Sequence, residues 1–113
     1  MPLEVRKYLY DIREAAGLVA QFTEGRSLRD YSTDPMLRSA VERQFEKIGE
    51  ALNKLSKIDP ASASRIDEFR KIISFRNVLI HDYDAIVDEV VWGIIESNLP
   101  ALQADVERML AED

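Results

Sequence analysis

Cysteine is absent from this 113-residue chain, and histidine occurs only once, as His81. Without thiols the chain has no disulfide, thiolate metal site or cysteine nucleophile, and one imidazole excludes a histidine-rich metal centre within a protomer. Long apolar runs are also missing, so no segment reaches membrane-spanning length, and the charged amino terminus lacks the apolar core of a signal peptide. We therefore expect a cytoplasmic protein that does not enter a membrane.

Basic residues are scarce in the last 30 positions. Residues 84–113 hold eight acids and a single base, Arg108, whereas the rest of the chain is nearly neutral. The net charge of −6 argues against a broad surface that coats nucleic acid, but it leaves room for a local site for one phosphodiester. The acidic segment has two open interpretations, a solvated helix face and a docking face for a basic partner.

Apolar residues recur at helical spacing along almost the whole sequence, and strand-like alternation is missing. The pattern predicts an all-α protein, a single domain over residues 1–113 built as an antiparallel bundle of four to five helices. The second helix should begin with Asp34 as N-cap and Pro35 in its first turn. The other predicted helices cover about Leu3–Glu24, Ser64–His81 and Ala85–Ser97, with a polar connection at 26–34 and, at Pro100, either a kink or the start of a fifth helix.

The stretch from Arg76 to Tyr83 carries the most chemistry. A guanidinium binds phosphate oxygens with fork geometry, and an imidazole moves protons near neutral pH. Arg76 lies among apolar residues, where a charge is costly unless it is paired or used. Each residue also has a structural interpretation: Arg76 paired with a carboxylate of another helix, and His81 favoured by the helix dipole.

The spacing of these residues leaves their geometry open. Asn77 and His81 share one helix face, but Arg76 and His81 lie about 140° apart around an ideal helix. Either the helix unwinds at its end, or two copies meet so that both pairs line one cleft. Tyr83 would share the face of Arg76 if the helix persisted, as a substrate contact or modifiable hydroxyl, or simply as an amphipathic residue at a helix end.

The motif RNVLIHDY resembles the signature of the HEPN superfamily, in particular of the HepT-like toxins encoded beside minimal nucleotidyltransferases. The flanking segments DIREAAGLVAQFTEG, AVERQFEKIGEALNKLS and FRNVLIHDYDAIVDEVVWGIIESNLPAL are similar to the same family, so the resemblance covers nearly the whole chain. It implies a HEPN fold, a homodimer, and a metal-independent endoribonuclease that needs no cofactor.

The resemblance also implies roles for individual residues. Arg76 and His81 would be the catalytic pair, with Asn77 as a supporting polar residue. Tyr83 would be the site at which an MntA-like nucleotidyltransferase antitoxin attaches AMP and silences the toxin. Further RNA contacts are expected from other basic residues on the motif helix, namely Arg65, Arg70 and Lys71. The competing hypotheses are a non-catalytic helical subunit or scaffold for a transferase, and a purely structural bundle.

Overall fold

All regular structure in residues 1–112, the part of the chain that the computed structural model describes, is helical, which confirms the all-α prediction. Within these residues seven α-helices are joined by short connections, with a 3₁₀ turn at Tyr83–Ala85 and a π-helical segment at Ile94–Asn98. The α-helices are α1 (Leu3–Thr23), α2 (Leu28–Thr33), α3 (Pro35–Ile58), α4 (Pro60–Ala63), α5 (Phe69–His81), α6 (Asp88–Gly93) and α7 (Leu99–Leu110).

The core forms where α3 packs against α1 on one side and α5 on the other, while α7 packs on α1. The predicted cap of α3 is confirmed, since the Asp34 carboxylate accepts the Leu37 N–H at 3.1 Å and Pro35 opens the helix. Apolar residues at helical spacing along α3 are almost completely buried: Val41, Phe45, Ile48, Leu52 and Leu55. This central position makes α3 the helix against which the motif on α5 is held.

The prediction of a polar connection at 26–34 is wrong, because the segment contains α2. The Ser27 hydroxyl accepts the Asp30 N–H, and the Asp30 carboxylate accepts the Ser27 N–H, which together form a capping box. The helix buries Tyr31 completely, and its ring lies 5.7 Å from that of Trp92. The single buried aromatic supplies the apolar contact that periodicity over six residues cannot reveal.

The predicted start of the third helix at Ser64 is also wrong, since α5 begins at Phe69. Asp59 caps the short α4 through the Ser62 N–H, so the chain is already helical before Ser64 and then leaves the helix. Glu68 adopts a left-handed conformation, with φ of 54°, which separates α4 from α5. The motif helix is therefore only 13 residues long.

The helix predicted from Ala85 begins later, at Asp88, as α6. The π-helical segment and α7 follow it. Pro100 lies in the first turn of α7, and the residue before it, Leu99, donates its N–H to the carbonyl of Ile94. A proline cannot donate to the carbonyl four residues earlier, and the wider π turn shifts the hydrogen-bond ladder around that gap. Of the two predicted alternatives at Pro100, the structure thus has the start of a further helix, α7, which follows the π-helical segment directly.

None of the helices within residues 1–112 combines the length and the apolar character needed to cross a membrane.

Candidate active site

Arg76 lies where α5 comes closest to α3, opposite Gly49. A Cβ atom added to Gly49 would lie only 2.2 Å from the Cβ of Arg76 and 2.7 Å from its Cγ. Real atoms do not approach so closely, so only glycine at position 49 allows the two helices this separation. The stem of Arg76 is consequently pressed against the backbone of α3.

The guanidinium of Arg76 is held by two side chains. Its Nη2 donates to the carboxylate of Glu50 on α3, and its Nη1 donates to Oδ1 of Asn77 at 2.8 Å. The Arg76 side chain is 21% exposed, and within residues 1–112 its buried Nε has no hydrogen-bond partner. Glu50 also lies 3.7 Å from the ammonium of Lys54. Arg76 therefore has the carboxylate partner on another helix that its structural interpretation predicts, yet it still reaches solvent.

A groove of about 590 Å³ lies between α1 and α3, and Arg76 contributes to its lining together with Ile80. Of the two partners that hold the guanidinium, Glu50 also lines the groove, whereas Asn77 does not. An arginine fixed in this way is preorganised for a phosphate group, since less side-chain entropy is lost when the anion binds.

His81 is the last residue of α5, and its side chain is exposed. The helix does not unwind before it, because the Asp82 N–H still donates to the Val78 carbonyl at 2.9 Å. Arg76 and His81 therefore keep the angular separation of about 140° that a regular helix imposes. Of the two geometries that reconcile these residues, unwinding of the helix end is not the one found in this protomer.

Tyr83 lies immediately beyond the helix, in the 3₁₀ turn, and is 71% exposed. Because α5 ends at His81, Tyr83 does not continue the helical face of Arg76. Its neighbours Asp82 and Asp84 are exposed as well. Tyr83 is therefore reachable from solvent and is flanked in the sequence by two exposed acids.

The three expected RNA contacts are each occupied by a partner within the chain. Arg65 lies in the turn before α5 and not on the motif helix, and it forms a two-pronged ion pair with Glu112. Lys71 donates to Glu68 at 2.8 Å, and this bond holds the pKa of the Glu68 carboxyl below its usual range. Arg70 stacks over the ring of Phe69, with its guanidinium 5.3 Å from the ring centre. None of the three lines the groove beside Arg76.

The acidic carboxyl-terminal segment is partly used inside the fold. Glu107 lies 3.7 Å from Arg13 of α1, and Glu112 binds Arg65. These contacts join α7 to α1 and the residues after α7 to the turn before α5, so the segment is neither a purely solvated face nor wholly free for a partner. Among residues 1–112 no cluster of histidine and acidic side chains has the arrangement of a metal site.

Comparison with known proteins identifies the family of this chain. The model of the family described as "Ribonuclease HepT-like" matches residues 12–109. The chain belongs to the HepT-like ribonuclease family. Its expected class, an RNA-cleaving enzyme, is thereby confirmed at the level of the family.

Curated relatives agree along almost their whole length. "Probable ribonuclease HepT" from Thermococcus cleftensis is 32% identical over 107 residues, which cover 92% of this chain and 94% of the relative. Two further relatives carry the name "Putative RNase": MJ1380 from Methanocaldococcus jannaschii is 31% identical, over 92% of this chain and 94% of the relative, and TTE0752 from Caldanaerobacter subterraneus is 30% identical, over 96% of each. No solved structure matches the chain.

Sequence reasoning missed the two residues that place Arg76, namely Gly49 and Glu50. The signal was present, since Gly49 lies beside the apolar stripe in the middle of a long helix, where glycine costs about 1 kcal/mol relative to alanine. A glycine retained at such a cost marks a close approach of backbones, and an acid beside it is well placed to meet a cation on the approaching helix.

Proposed function

We propose that this chain is the toxin of a toxin–antitoxin pair, a metal-independent endoribonuclease whose Arg76 and His81 act in a cleft formed by two copies. A cognate nucleotidyltransferase silences it by transferring AMP to Tyr83. The observation that carries the proposal is the Arg76 guanidinium, oriented by Glu50 and Asn77 at the edge of an open groove.

The ion pair with Glu50 suits a phosphate-binding role. Both partners are partly exposed, so the pair contributes little to stability and a phosphodiester can compete for the guanidinium. Arg76 offers a planar fork of donors, two of which point at neighbours that fix the plane. Glu50 and Asn77 are therefore proposed as positioning residues for Arg76.

The angular separation of Arg76 and His81 supports a composite cleft. Between them around α5 lies Ile80, which is 40% exposed, with the half-buried Phe69 and Ile73 on the same side of the helix. Such an apolar strip on the motif helix favours contact with a second copy about a two-fold axis. That contact would bring the His81 of one copy toward the Arg76 of the other.

Cleavage would then proceed by internal transfer. A neutral His81 takes the proton from the 2′-hydroxyl as its oxygen bonds to phosphorus, and the bond from phosphorus to the 5′-oxygen breaks. The protonated His81 of the second copy gives a proton to the departing 5′-oxygen, while Arg76 stabilises the charge that develops on the phosphoryl oxygens. The products are a 2′,3′-cyclic phosphate and a 5′-hydroxyl, and DNA cannot react because it lacks the 2′-hydroxyl.

Tyr83 suits a modification switch because its hydroxyl is exposed two residues after His81. Its oxygen would attack the α-phosphorus of ATP and release pyrophosphate. The attached AMP adds bulk and negative charge close to the site, which repels a substrate phosphate.

The proposal is tested by expressing the protein alone in a bacterial host as wild type, His81→Ala and Tyr83→Phe, and by following growth and total RNA. We expect arrest with RNA loss for wild type and Tyr83→Phe, and neither for His81→Ala. Co-expression of a cognate transferase should rescue the wild type but not Tyr83→Phe. The conservative change at Tyr83 removes only the hydroxyl that would be modified.

A non-catalytic subunit that docks a nucleotidyltransferase is the alternative function, and the same exposed Tyr83 favours it. It predicts normal growth and intact RNA for all three proteins. The proteins must be shown to be soluble, and mass spectrometry must show that Tyr83 is unmodified. That outcome would replace the ribonuclease proposal.

A further inference from the structure

The groove between α1 and α3 has a lining that the motif does not account for. It is open to solvent, has a volume of about 590 Å³, and adjoins Arg76. We propose that it binds the sugar–phosphate backbone of single-stranded RNA next to the cleaved bond. The inference rests on the proposed ribonuclease function, since it extends the substrate site of that enzyme along α3.

A row of cations follows α3 along the groove. Arg43, Lys47 and Lys54 are spaced by four and seven residues, so they lie on one face of the helix. From the first to the last the helix rises by roughly 16 Å, which accommodates several nucleotides. Such a row tracks the phosphates of a flexible strand.

The cations of this row are held only loosely by carboxylates. Arg43 lies 3.9 Å from Glu46, and Lys54 lies 3.7 Å from Glu50, both at the limit of an ion pair. Lys47 has no ion-pair partner within residues 1–112. Exposed pairs of this length are weak and screened by salt, so phosphates can displace the carboxylates.

The α1 wall of the groove differs in character. Its charged lining residues are Lys7 and the acids Asp11 and Glu14, so acids are in excess, whereas on the α3 wall the three cations outnumber the two carboxylates beside them. The α1 wall also carries Tyr8, whose ring has the ammonium of Lys7 4.8 Å from its centre. The acids disfavour phosphate on this side, and an aromatic ring offers a face on which a base can stack. The strand would therefore lie with its phosphates against α3 and its bases toward α1.

This arrangement explains how a protein of net charge −6 can hold RNA. Arg65 and Lys71 are committed to tight ion pairs away from the groove, whereas the α3 row is loosely paired and Arg76 lies beside it, opposite Gly49. The affinity would come from this local row of positive charge rather than from the overall charge.

The test measures binding of a fluorescent single-stranded RNA by anisotropy over a series of salt concentrations, in the His81→Ala protein so that the RNA stays intact. The groove variant is Arg43→Gln with Lys47→Gln. Its matched control is Arg29→Gln with Lys57→Gln, which removes one arginine and one lysine from exposed positions outside the groove. We expect the groove variant to raise Kd about ten-fold, while the control leaves Kd unchanged. The slope of the logarithm of the binding constant against the logarithm of the salt concentration should become shallower by about 1.4 in the groove variant, or about 0.7 per lost phosphate contact, and stay the same in the control.

Cleavage assays of the same substitutions with His81 intact separate the two proposals. The groove is supported if its variant raises KM several-fold and leaves kcat unchanged. If the groove variant, the control and the parent have the same Kd and the same salt slope, the proposal that RNA binds in the groove is wrong, even if the protein cleaves RNA normally. If the wild type cleaves no RNA but its RNA binding depends on the groove residues, the proposed binding site is supported and the proposed ribonuclease function is wrong.

Discussion

At the scale of single residues, Gly49 decides where the guanidinium of Arg76 can be. The Cβ atoms of any two larger residues at these positions would overlap, so the contact depends on the backbone of α3 at one point. The chemistry of the motif helix is therefore coupled to a residue on a different helix that carries no functional group.

Replacing Gly49 by alanine should destabilise the protein, because the new Cβ would lie 2.2 Å from that of Arg76. The strain of overpacking, about 1–3 kcal/mol, should exceed the gain in helix propensity of about 1 kcal/mol. Chemical denaturation measures the change in unfolding free energy. Gly17→Ala is the matched control, since nothing lies within 4 Å of its added Cβ and alanine should stabilise α1. Equal effects at both positions would contradict the close-contact explanation.

Glu50→Gln should lower RNA cleavage at least several-fold while leaving the fold intact. The neutral amide no longer attracts the Arg76 guanidinium, which then explores other rotamers, but the exposed pair adds at most about 1 kcal/mol to stability. Steady-state kinetics and thermal unfolding measure the two effects. Glu4→Gln serves as the control, because Glu4 is exposed on α1 and lies outside the groove beside Arg76. A loss of stability without a loss of kcat/KM would make the pair structural.

Glu42 on α3 predicts a pH dependence of stability. Burial raises the pKa of its carboxyl, and the nearby acids Glu46 and Asp88 raise it further, against the opposing effect of Arg38. Because the pKa is higher in the folded state than in the unfolded state, this group favours folding at low pH, and that contribution is lost as the pH rises through the folded-state pKa.

We therefore expect Glu42→Gln to be more stable than wild type at pH 7, by less than about 1 kcal/mol because the side chain is only partly buried, and equal to it near pH 3. Thermal unfolding at the two pH values measures the difference. Glu14→Gln on the exposed face of α1 should show no comparable pH-dependent gain.

At the scale of elements, long helices were predictable and short ones were not. Several turns of apolar periodicity predict both α1 and α3, and the Asp34–Pro35 pair predicts the start of α3. The segment that forms α2 is too short to show a helical period. Glu68 interrupts the helix before α5 by adopting a left-handed backbone conformation, which a glutamate in the sequence does not predict. The position of Arg76 on α5 followed from the motif, but its partners depend on packing between helices distant in sequence.

The capping box of α2 gives a prediction for an element that the periodicity missed. Ser27→Ala removes the acceptor of the Asp30 N–H and should cost about 1 kcal/mol of unfolding free energy. Because α2 holds Tyr31 against Trp92, its loosening should also raise the fluorescence response of that single tryptophan to a quencher. Ser39→Ala, on an exposed face of α3, should leave both measurements unchanged. If the quenching response of Ser27→Ala is unaltered, the packing of Tyr31 against the tryptophan does not depend on the cap.

At the scale of the whole molecule, the proposed cleft needs two copies. Ile80→Glu places a charge in the apolar strip between Arg76 and His81, so we expect a monomer of 12.9 kDa by light scattering where the wild type has twice that mass. The mass is the deciding measurement, because Ile80 also lines the groove beside Arg76 and the new charge would lower cleavage in either state; the circular dichroism of the helices should persist. Leu3→Glu, on another exposed apolar residue, should stay dimeric and active. A wild type that is active as a monomer would exclude a composite site.

The contact at Gly49 also bears on how the family can diverge. Since the overlap involves the Cβ of residue 76, any residue except glycine there, including an alanine that has lost all catalytic function, still demands glycine at position 49. Relatives that have abandoned RNA cleavage should therefore be free to lose Glu50 and His81 while keeping this glycine. In an evolutionary tree of the family, Gly49 would trace descent of the fold, and Glu50 would trace retention of the enzyme.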